Sequence, residues 1–325
     1  PSASRCNPTF GGSSNVRSPL LDRNGAVEAE AADAGVAAHY GSTFAAEQKL
    51  LISGEGFVDL SHRDVFRVTG PDRLTWLHSL TSQYLEGISP RIWVEALILT
   101  PQGRIEHEFT GFDEPDTETF WAHTEPGAAL IAFLDRMRFM SRVEVVPEPD
   151  RFVVGRVDGS GAQVTELASD LSAVAGTPVG IFAWEALRIA SGIPRFGLDT
   201  DERTIPNEVG LLGRAVHLDK GCYRGQETVA RVHNLGRPPR RLVLLHLDGS
   251  ADHLPAHGTE ILLGDKVVGT IGSSARHHEF GPIALALVKR STPVDQTLLA
   301  DGVAAAQEVL VDPEAGLHVR AGMNL

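Results

Sequence analysis

The sequence predicts an α+β protein made of two split β-α-β (ferredoxin-like) units and a small antiparallel β-barrel at the C-terminal end. Between residues 91 and 146, a predicted β-hairpin is followed by another strand, an amphipathic helix and a further strand. From residue 241 onward, short apolar runs alternate with turns that contain Gly, Asp and Pro, which is typical of a small barrel. The 325 residues also exceed what one ordinary core fills.

Four segments follow from this pattern. Residues 1–34 are rich in small and polar residues and are expected to form a mobile leader or an arm on the surface. Residues 35–148 form the first α+β unit, and residues 149–240 form the second, which can be discontinuous with the first. Residues 241–325 form the barrel.

The first unit starts with a short helix in HYGSTFAAEQKLL and a strand in DVFRVTG. The next segment, PDRLTWLHSLTSQYLEGI, predicts a helix that begins at Pro71 and ends before Gly87. One face of this helix carries Leu74, Leu77, Leu80 and Tyr84.

A hairpin then joins RIWVEALILT to GRIEHEFTGF through residues 101–103, and the strand TETFWAHT, the helix PGAALIAFLDRMRFM and the strand RVEVV complete the unit. His107 and Glu108 are neighbours on the second hairpin strand, so one of them faces inward. A buried carboxylate needs a partner, and a ligand with amide-like donors is one.

The second unit is predicted to repeat these pieces, with a strand in RFVVGRV, a helix in VTELASDLSAVAG and a helix in IFAWEALRIASG. The barrel strands are predicted in RLVLLHL, TEILL, KVVGTIGSSA, PIALALV and AAQEVLV.

Composition excludes several classes of function. No apolar run approaches the roughly 20 residues that cross a bilayer, so no membrane partner is expected. A formal charge of -13 argues against nucleic-acid binding, which depends on cationic side chains. With only Cys6 and Cys222, and without the pattern of a secretory signal, we expect a cytoplasmic protein without a structural disulfide.

A basic segment, residues 220–241, stands out in this acidic chain. It contains one acidic residue, Glu227, and six basic ones: Lys220, Arg224, Arg231, Arg237, Arg240 and Arg241. Guanidinium groups match carboxylates and phosphates bidentately, so the segment predicts either an anionic partner or only a solvated loop.

Cys222 is either a reactive thiol or a small buried hydrophobe. If the segment is extended, Lys220 and Cys222 share a face, and a nearby ammonium favours the thiolate. The glycines at 221 and 225 precede a helix-like stretch, whose N-terminus has the same effect. A single cysteine without a CxxC partner does not make a metal site, and we expect none.

The motif KGCYRGQE resembles the signature of YgfZ-type folate-binding proteins, relatives of the T protein (aminomethyltransferase) of the glycine cleavage system. The resemblance also covers FVDLSHRDVFRVTGPDRLTWLHSLTS, LILTPQGRI, EALRIASGIPRFG and VVGTIGSS, in the same order along residues 39–290. The signature maps onto Lys220, Gly221, Cys222, Tyr223, Gly225, Gln226 and Glu227.

The resemblance implies a ring of three domains around a channel that binds tetrahydrofolate or a derivative. It implies an accessory protein for iron–sulfur cluster assembly or repair, with Cys222 as the functional thiol and with iron–sulfur enzymes or assembly proteins as partners. The ligand is expected to contact Glu108 and His107, while its glutamate tail contacts arginines of the basic segment: Arg231, Arg237, Arg240 and Arg241.

Two departures bear on catalysis. The aspartate pair of the aminomethyltransferases is replaced by His107 and Glu108, and their Arg-Leu-Glu-Ala-Gly stretch reads RIASG at residues 188–192, without the glutamate. Whether the protein is an enzyme is therefore open. One alternative is a folate-dependent one-carbon (aminomethyl or formyl) transferase with Glu108 or His107 as the base, and another is a non-enzymatic interaction module with a vestigial channel.

Overall fold

A computed structural model describes residues 17–314. The predicted mixed architecture is confirmed: two separate sheets with helices precede a closed antiparallel barrel of six strands. None of the helices in residues 17–314 combines the length and the hydropathy of a membrane span.

The described chain begins with an arm that packs on a four-stranded sheet. Leu20 of the arm is buried beside Phe57 of that sheet. Strands β1 (Val27–Glu28) and β2 (Ala37–His39) pair as a small hairpin. The part of the predicted leader that is described, residues 17–34, is thus an arm packed on the protein, whereas residues 1–16, including Cys6, lie outside the described residues.

Helix α1 (Phe44–Ile52) and strand β3 (Gly56–Asp59) follow the arm. Thr43 begins the helix, because its side-chain oxygen accepts the Ala46 N–H.

The first sheet is antiparallel and contiguous in the chain, with the order β5-β6-β7-β4-β8. Its strands are β4 (Asp64–Thr69), β5 (Val94–Leu99), β6 (Ile105–Glu114), β7 (Thr119–Thr124) and β8 (Glu144–Pro147). The predicted hairpin through residues 101–103 is β5 and β6. Two helices, α2 (Arg73–Leu80) and α3 (Gly127–Met137), pack on this sheet through apolar side chains such as Leu77 and Leu134.

Helix α2 is shorter than predicted. Thr81 is extended, with a φ of -110° and a ψ of 164°, and its hydroxyl donates to the Leu77 carbonyl. The next backbone N–H, that of Ser82, already donates to Leu97 of the sheet. The placement of Tyr84 on the helix face is therefore wrong; it lies beyond the helix and is 41% exposed.

The second sheet combines β3 with strands from after the first sheet, in the order β10-β9-β3-β11. The later strands are β9 (Phe152–Val157), β10 (Gln163–Ala168) and β11 (Thr177–Val179). Helix α4 (Ile181–Ala190) follows and is almost wholly buried.

The helix predicted in VTELASDLSAVAG is wrong, since its first part is strand β10. Six residue pairs join β9 to β10. The carboxylate of Asp158 closes their turn by accepting the N–H groups of Ser160 and Ala162. The exposed positions Val164 and Glu166 alternate with less exposed ones, which is the two-residue period of a strand.

Helix α5 (Gln226–Leu235) leads into the barrel, whose order is β12-β15-β14-β13-β16-β17. The strands are β12 (Arg240–Leu247), β13 (Glu260–Leu263), β14 (Lys266–His277), β15 (Gly281–Lys289), β16 (Leu298–Ala300) and β17 (Val303–Val309). One apolar cluster joins Leu97 of the first sheet, Ile189 of α4 and Leu285 of the barrel, so the three parts share a core.

Candidate functional site

A cavity of about 450 Å³ lies between the first sheet, strand β10 and helix α4. Trp93 and Trp184 provide aromatic surface in its lining, and charged side chains of both signs complete the lining. A concave site with aromatic walls and a few polar groups is the usual form of a small-molecule site.

Two carboxyl groups on adjacent strands meet at this cavity. Glu108 on β6 is hydrogen-bonded to Glu95 on β5. Burial raises the pKa of Glu108 well above its usual value, and the charge of Glu95 raises it further. Glu95 in turn binds Arg214, with 2.5 Å between Nε and Oε2. Both effects favour the protonated form of Glu108, which can donate as well as accept a hydrogen bond.

His123 on β7 lines the same cavity. Its Nε2 lies 3.0 Å from the hydroxyl of Thr165 on β10, and its ring centroid lies 5.3 Å from that of Trp93. Burial holds the pKa of His123 well below its usual value, and the charge of Arg63 lowers it further. The neutral ring joins the two sheets.

Arg195 is held by a carboxylate from the arm and by another that directly follows β7. It binds Asp33 at 2.8 Å and Glu125 at 2.5 Å. The buried ring of His62 lies 3.4 Å from the Arg195 Nη2. Burial lowers the pKa of His62, so this ring is neutral.

Arg188 on α4 joins the second unit to the barrel. It binds Glu185 at 2.6 Å and Asp199 at 2.8 Å, and it donates to the hydroxyl of Ser273 at 2.7 Å. Asp199 also accepts the backbone N–H groups of Arg195 and Ser273. These contacts fix the wall of the cavity.

Two hairpin residues, His107 and Glu108, were predicted to contact a ligand, and the structure places only one of them at the cavity. Glu108 lines the cavity, but His107 is absent from its described lining. The ring of His107 lies 5.6 Å from that of Phe133 on α3, and burial lowers its pKa. The two side chains point to opposite faces of β6, as alternation requires.

The motif at residues 220–227 is a loop and the start of α5, not the extended segment considered from the sequence. The Lys220 ammonium donates to the carbonyl oxygens of His78, Thr81 and Gln83 at 2.6, 2.7 and 2.9 Å, and burial lowers its pKa to about 8. Its three hydrogens are thus used at the end of α2, and the expected pairing of Lys220 with the Cys222 thiol is wrong.

The remaining motif residues hold this loop in place. Gln226 donates to the Lys220 carbonyl at 3.2 Å, and the Tyr223 ring lies 5.4 Å from the Lys220 ammonium. Gly225 begins α5 with a φ of 82°. Cys222 is free and exposed, so the interpretation of a buried hydrophobe is wrong.

The arginines of the basic segment have partners within the protein. Arg224 binds Glu106, Arg231 binds Glu227, Arg237 binds Glu314, Arg240 binds Asp201 and Glu208, and Arg241 binds Gln307. None of them is in the described lining of the cavity. Their contact with a ligand tail stays a prediction.

A neighbouring cavity of about 690 Å³ lies against the barrel. Four carboxylates in its lining have ion-pair partners: Glu106 binds Arg224, Asp199 binds Arg188, Asp201 binds Arg240 and Glu202 binds Arg203. Among the described residues, no group of three or more His, Cys, Asp or Glu side chains could hold a metal ion. The smaller cavity, in which the pKa of Glu108 is raised, is the better candidate site.

Sequence reasoning missed most of this site. Glu95 was the readable signal, because it is a carboxylate within the apolar run IWVEALILT. Arg63, Trp93, His123, Arg195 and Arg214 come from separate segments, and only the fold brings them together.

Comparison with known proteins agrees with this architecture. Residues 240–321 match the family model of the glycine cleavage T-protein C-terminal barrel domain. The crystal structure of glycine cleavage system aminomethyltransferase T from Bartonella henselae superposes with a TM-score of 0.76 at 16% identity, covering 91% of this chain and 97% of that one. The chain therefore has the fold of that protein.

Two curated relatives extend the similarity. An aminomethyltransferase from Rippkaea orientalis is 25% identical over 303 residues, which are 75% of this chain and 81% of the relative. The tRNA-modifying protein YgfZ of Edwardsiella ictaluri is 35% identical over 133 residues, which are 39% of each chain. The resemblance inferred from the KGCYRGQE motif and its context is confirmed.

Proposed function

We propose that this chain, a relative of the aminomethyltransferases and YgfZ-type proteins, binds tetrahydrofolate or a derivative in the 450 Å³ cavity. The observation that carries the proposal is the Glu108–Glu95 pair in a cavity that Trp93 and Trp184 also line. A pterin ring is flat and has an edge of N–H donors beside ring acceptors. Aromatic side chains stack on such a ring, and a carboxyl pair that shares a proton can serve both kinds of edge group.

We propose an accessory protein rather than a transferase. A general base accepts a proton, whereas burial and the neighbouring Glu95 raise the pKa of Glu108 and so favour its protonated form. The other candidate base, His107, contacts Phe133 on the opposite face of the strand. The wall of the site thus favours binding over proton abstraction.

The test is a calorimetric titration of the wild type with tetrahydrofolate, beside Glu108→Ala and the matched control His107→Gln. We expect saturable binding that Glu108→Ala weakens at least tenfold and that His107→Gln leaves unchanged. The absence of binding to the wild type, or an equal loss in both variants, would remove the cavity as the folate site. A vestigial channel would then be the better description.

The same titration addresses the transferase alternative. With folate bound, candidate amine donors are added and the one-carbon unit is followed by mass spectrometry. Folate-dependent turnover that disappears in Glu108→Gln would establish an enzyme and contradict the accessory role.

We further propose that Cys222 serves iron–sulfur cluster assembly or repair. The support is its position: an exposed thiol on a loop that Lys220 and Gln226 anchor to the body of the protein. In cells that lack the protein, Cys222→Ala is expected to restore less iron–sulfur enzyme activity than wild type at equal protein level. Full restoration would remove this role of the thiol.

A further inference from the structure

Arg63 differs from the other arginines that line the cavity. Arg188, Arg195 and Arg214 each bind a carboxylate at 2.6 Å or less. The nearest carboxylate contact of Arg63 is Glu125, at 3.9 Å from its Nε, and Glu125 is already bound by Arg195. Arg63 is therefore a cation beside a carboxylate that belongs to another arginine.

The guanidinium of Arg63 is also short of hydrogen bonds. Its Nε is buried and has no hydrogen-bond partner among the described residues, and the side chain is only 15% exposed. A buried charge normally has both a counter-charge and hydrogen bonds, because these compensate for its loss of hydration. Burial accordingly lowers the pKa of Arg63. Arg63 lies in the lining of the cavity, so an occupant can complete its contacts.

The group that best completes them is a carboxylate. A guanidinium is planar and presents parallel N–H donors that match the two oxygens of a carboxylate, and the negative charge of a carboxylate stabilises a cation that has only a distant ion-pair contact. In the basic segment, Arg224, Arg231, Arg237 and Arg240 bind carboxylates of this chain: Glu106, Glu227, Glu314 and Asp201. Arg241 also has buried nitrogens without a hydrogen-bond partner in the described part of the chain, but it is not in the described lining of the cavity.

We propose that Arg63 is the carboxylate-binding residue of the cavity and that it receives the glutamate end of the bound folate. The inference rests on the proposed function, and it moves the tail contact from the basic segment to the cavity. A free dicarboxylate would offer Arg63 the same carboxylate group, and the experiment distinguishes it from the glutamate end of a folate.

The experiment measures binding by tryptophan fluorescence, which Trp93 and Trp184 report from within the cavity, and by calorimetry. The ligands are tetrahydrofolate, the tail fragment p-aminobenzoylglutamate, the tailless tetrahydrobiopterin, and glutarate. Each is titrated into wild type, Arg63→Gln, Arg63→Lys and Arg231→Gln. Arg231 is 65% exposed and binds Glu227. Arg231→Gln removes one positive charge, as Arg63→Gln does, and also tests the prediction that the basic segment contacts the glutamate tail.

We expect Arg63→Gln to weaken tetrahydrofolate and p-aminobenzoylglutamate at least tenfold and to leave tetrahydrobiopterin unchanged. Arg63→Lys keeps the charge without the planar fork and recovers part of the loss, and it replaces Arg63→Gln if circular dichroism shows that variant to be unfolded. Glutarate that binds as tightly as p-aminobenzoylglutamate would assign the carboxylate to a free dicarboxylate, whereas weaker glutarate binding supports the folate tail.

The failures are distinguishable. Tetrahydrofolate that binds wild type and Arg63→Gln equally overturns the inference and leaves the proposed function standing, as does a loss seen only in Arg231→Gln. If Arg63→Gln weakens tetrahydrobiopterin as much as tetrahydrofolate, Arg63 contacts the pterin ring, and the inference is again overturned. If tetrahydrofolate does not bind but glutarate binds through Arg63, the proposed function fails and the carboxylate site remains. If no ligand binds, both fail.

Discussion

Gly225 of the motif packs directly on Gly103 of the β5–β6 turn. A Cβ on Gly225 would lie 2.9 Å from the Gly103 Cα and 2.4 Å from the Thr100 carbonyl oxygen. Both glycines have positive φ, 82° and 76°. The turn of the first sheet and the start of α5 meet backbone to backbone, which only residues without a Cβ allow at this distance.

Gly225→Ala is therefore expected to destabilise the protein by about 2–5 kcal/mol, from left-handed strain and overpacking together. Urea denaturation gives the free energy of unfolding. The matched control is Gly221→Ala in the same loop, where a Cβ meets no atom within 4 Å, and it should change stability by less than about 1 kcal/mol. Equal effects of the two changes would contradict this packing.

Glu108 predicts how stability depends on pH. Its folded-state pKa is raised, so its contribution is fully present below the unfolded value and is lost as the pH rises through the folded value. Glu108→Gln stays uncharged and avoids this loss. As the pH rises above the unfolded pKa of Glu108, the unfolding free energy of Glu108→Gln should therefore increase relative to that of the wild type, by about 1.4 kcal/mol per pH unit until the folded pKa is reached.

The control for this pH series is Glu227→Gln, at a side chain that is 85% exposed. A surface carboxylate of this kind should give a difference from wild type that is nearly constant across the same range. If the Glu108→Gln difference is equally constant, Glu108 is ionised in the folded protein and the description of the pair is wrong.

Asp199 predicts the cost of separating the barrel from the second unit. Its carboxylate accepts from Arg188 at 2.8 Å, from the Ser273 N–H at 2.8 Å and from the Arg195 N–H at 2.9 Å. Asp199→Ala leaves these buried donors without a partner, and we expect a loss of about 3–5 kcal/mol in unfolding free energy. Asp158→Ala, which removes only a turn on the β9–β10 hairpin, should cost about 1 kcal/mol. Similar losses would show that Asp199 is only a local contact.

The exposed thiol of Cys222 predicts rapid chemical labelling of the native protein. Cys222 is free and on the surface, so an aromatic disulfide reagent should reach it without denaturant. Labelling is followed by absorbance and assigned by peptide mass spectrometry, with Cys222→Ser as the blank. Reaction only after unfolding would mean that the loop covers the thiol in solution. Because the thiol packs little, Cys222→Ser should change stability by less than about 0.5 kcal/mol.

Local patterns in the sequence were enough to predict the barrel and the first hairpin. The two hairpin strands are neighbours in the chain, and the apolar runs and turns of the barrel can be read from the sequence, although β12 pairs with the distant strands β15 and β17. Strand β10 was misread because VTELASDLSAVAG also suits a helix, and the choice was made by its pairing with β9. Similarly, α2 ends at Leu80 because Ser82 pairs with Leu97, fifteen residues away.

The site was predicted only where one residue carried the signal. Glu108 stood out as a carboxylate on a strand, and it lines the cavity. The arginines of the basic segment were conspicuous in the sequence. The acidic partners of Arg240, Asp201 and Glu208, are distant in the chain, so these ion pairs could not be predicted from the sequence. Arg63, in the segment SHRDVF, was not conspicuous in the sequence. Only the structure shows that it has no close carboxylate partner among the described residues.

The second sheet imposes an order on synthesis. Strand β3 ends at Asp59, and its antiparallel neighbour β9 begins at Phe152, so the whole first sheet is made between them. At a ribosomal rate of about 5–20 residues per second, β3 waits roughly 5–20 s for its partner. The nascent chain therefore completes the inserted sheet first, while the apolar residues of β3 remain open to the factors that attend the ribosome exit.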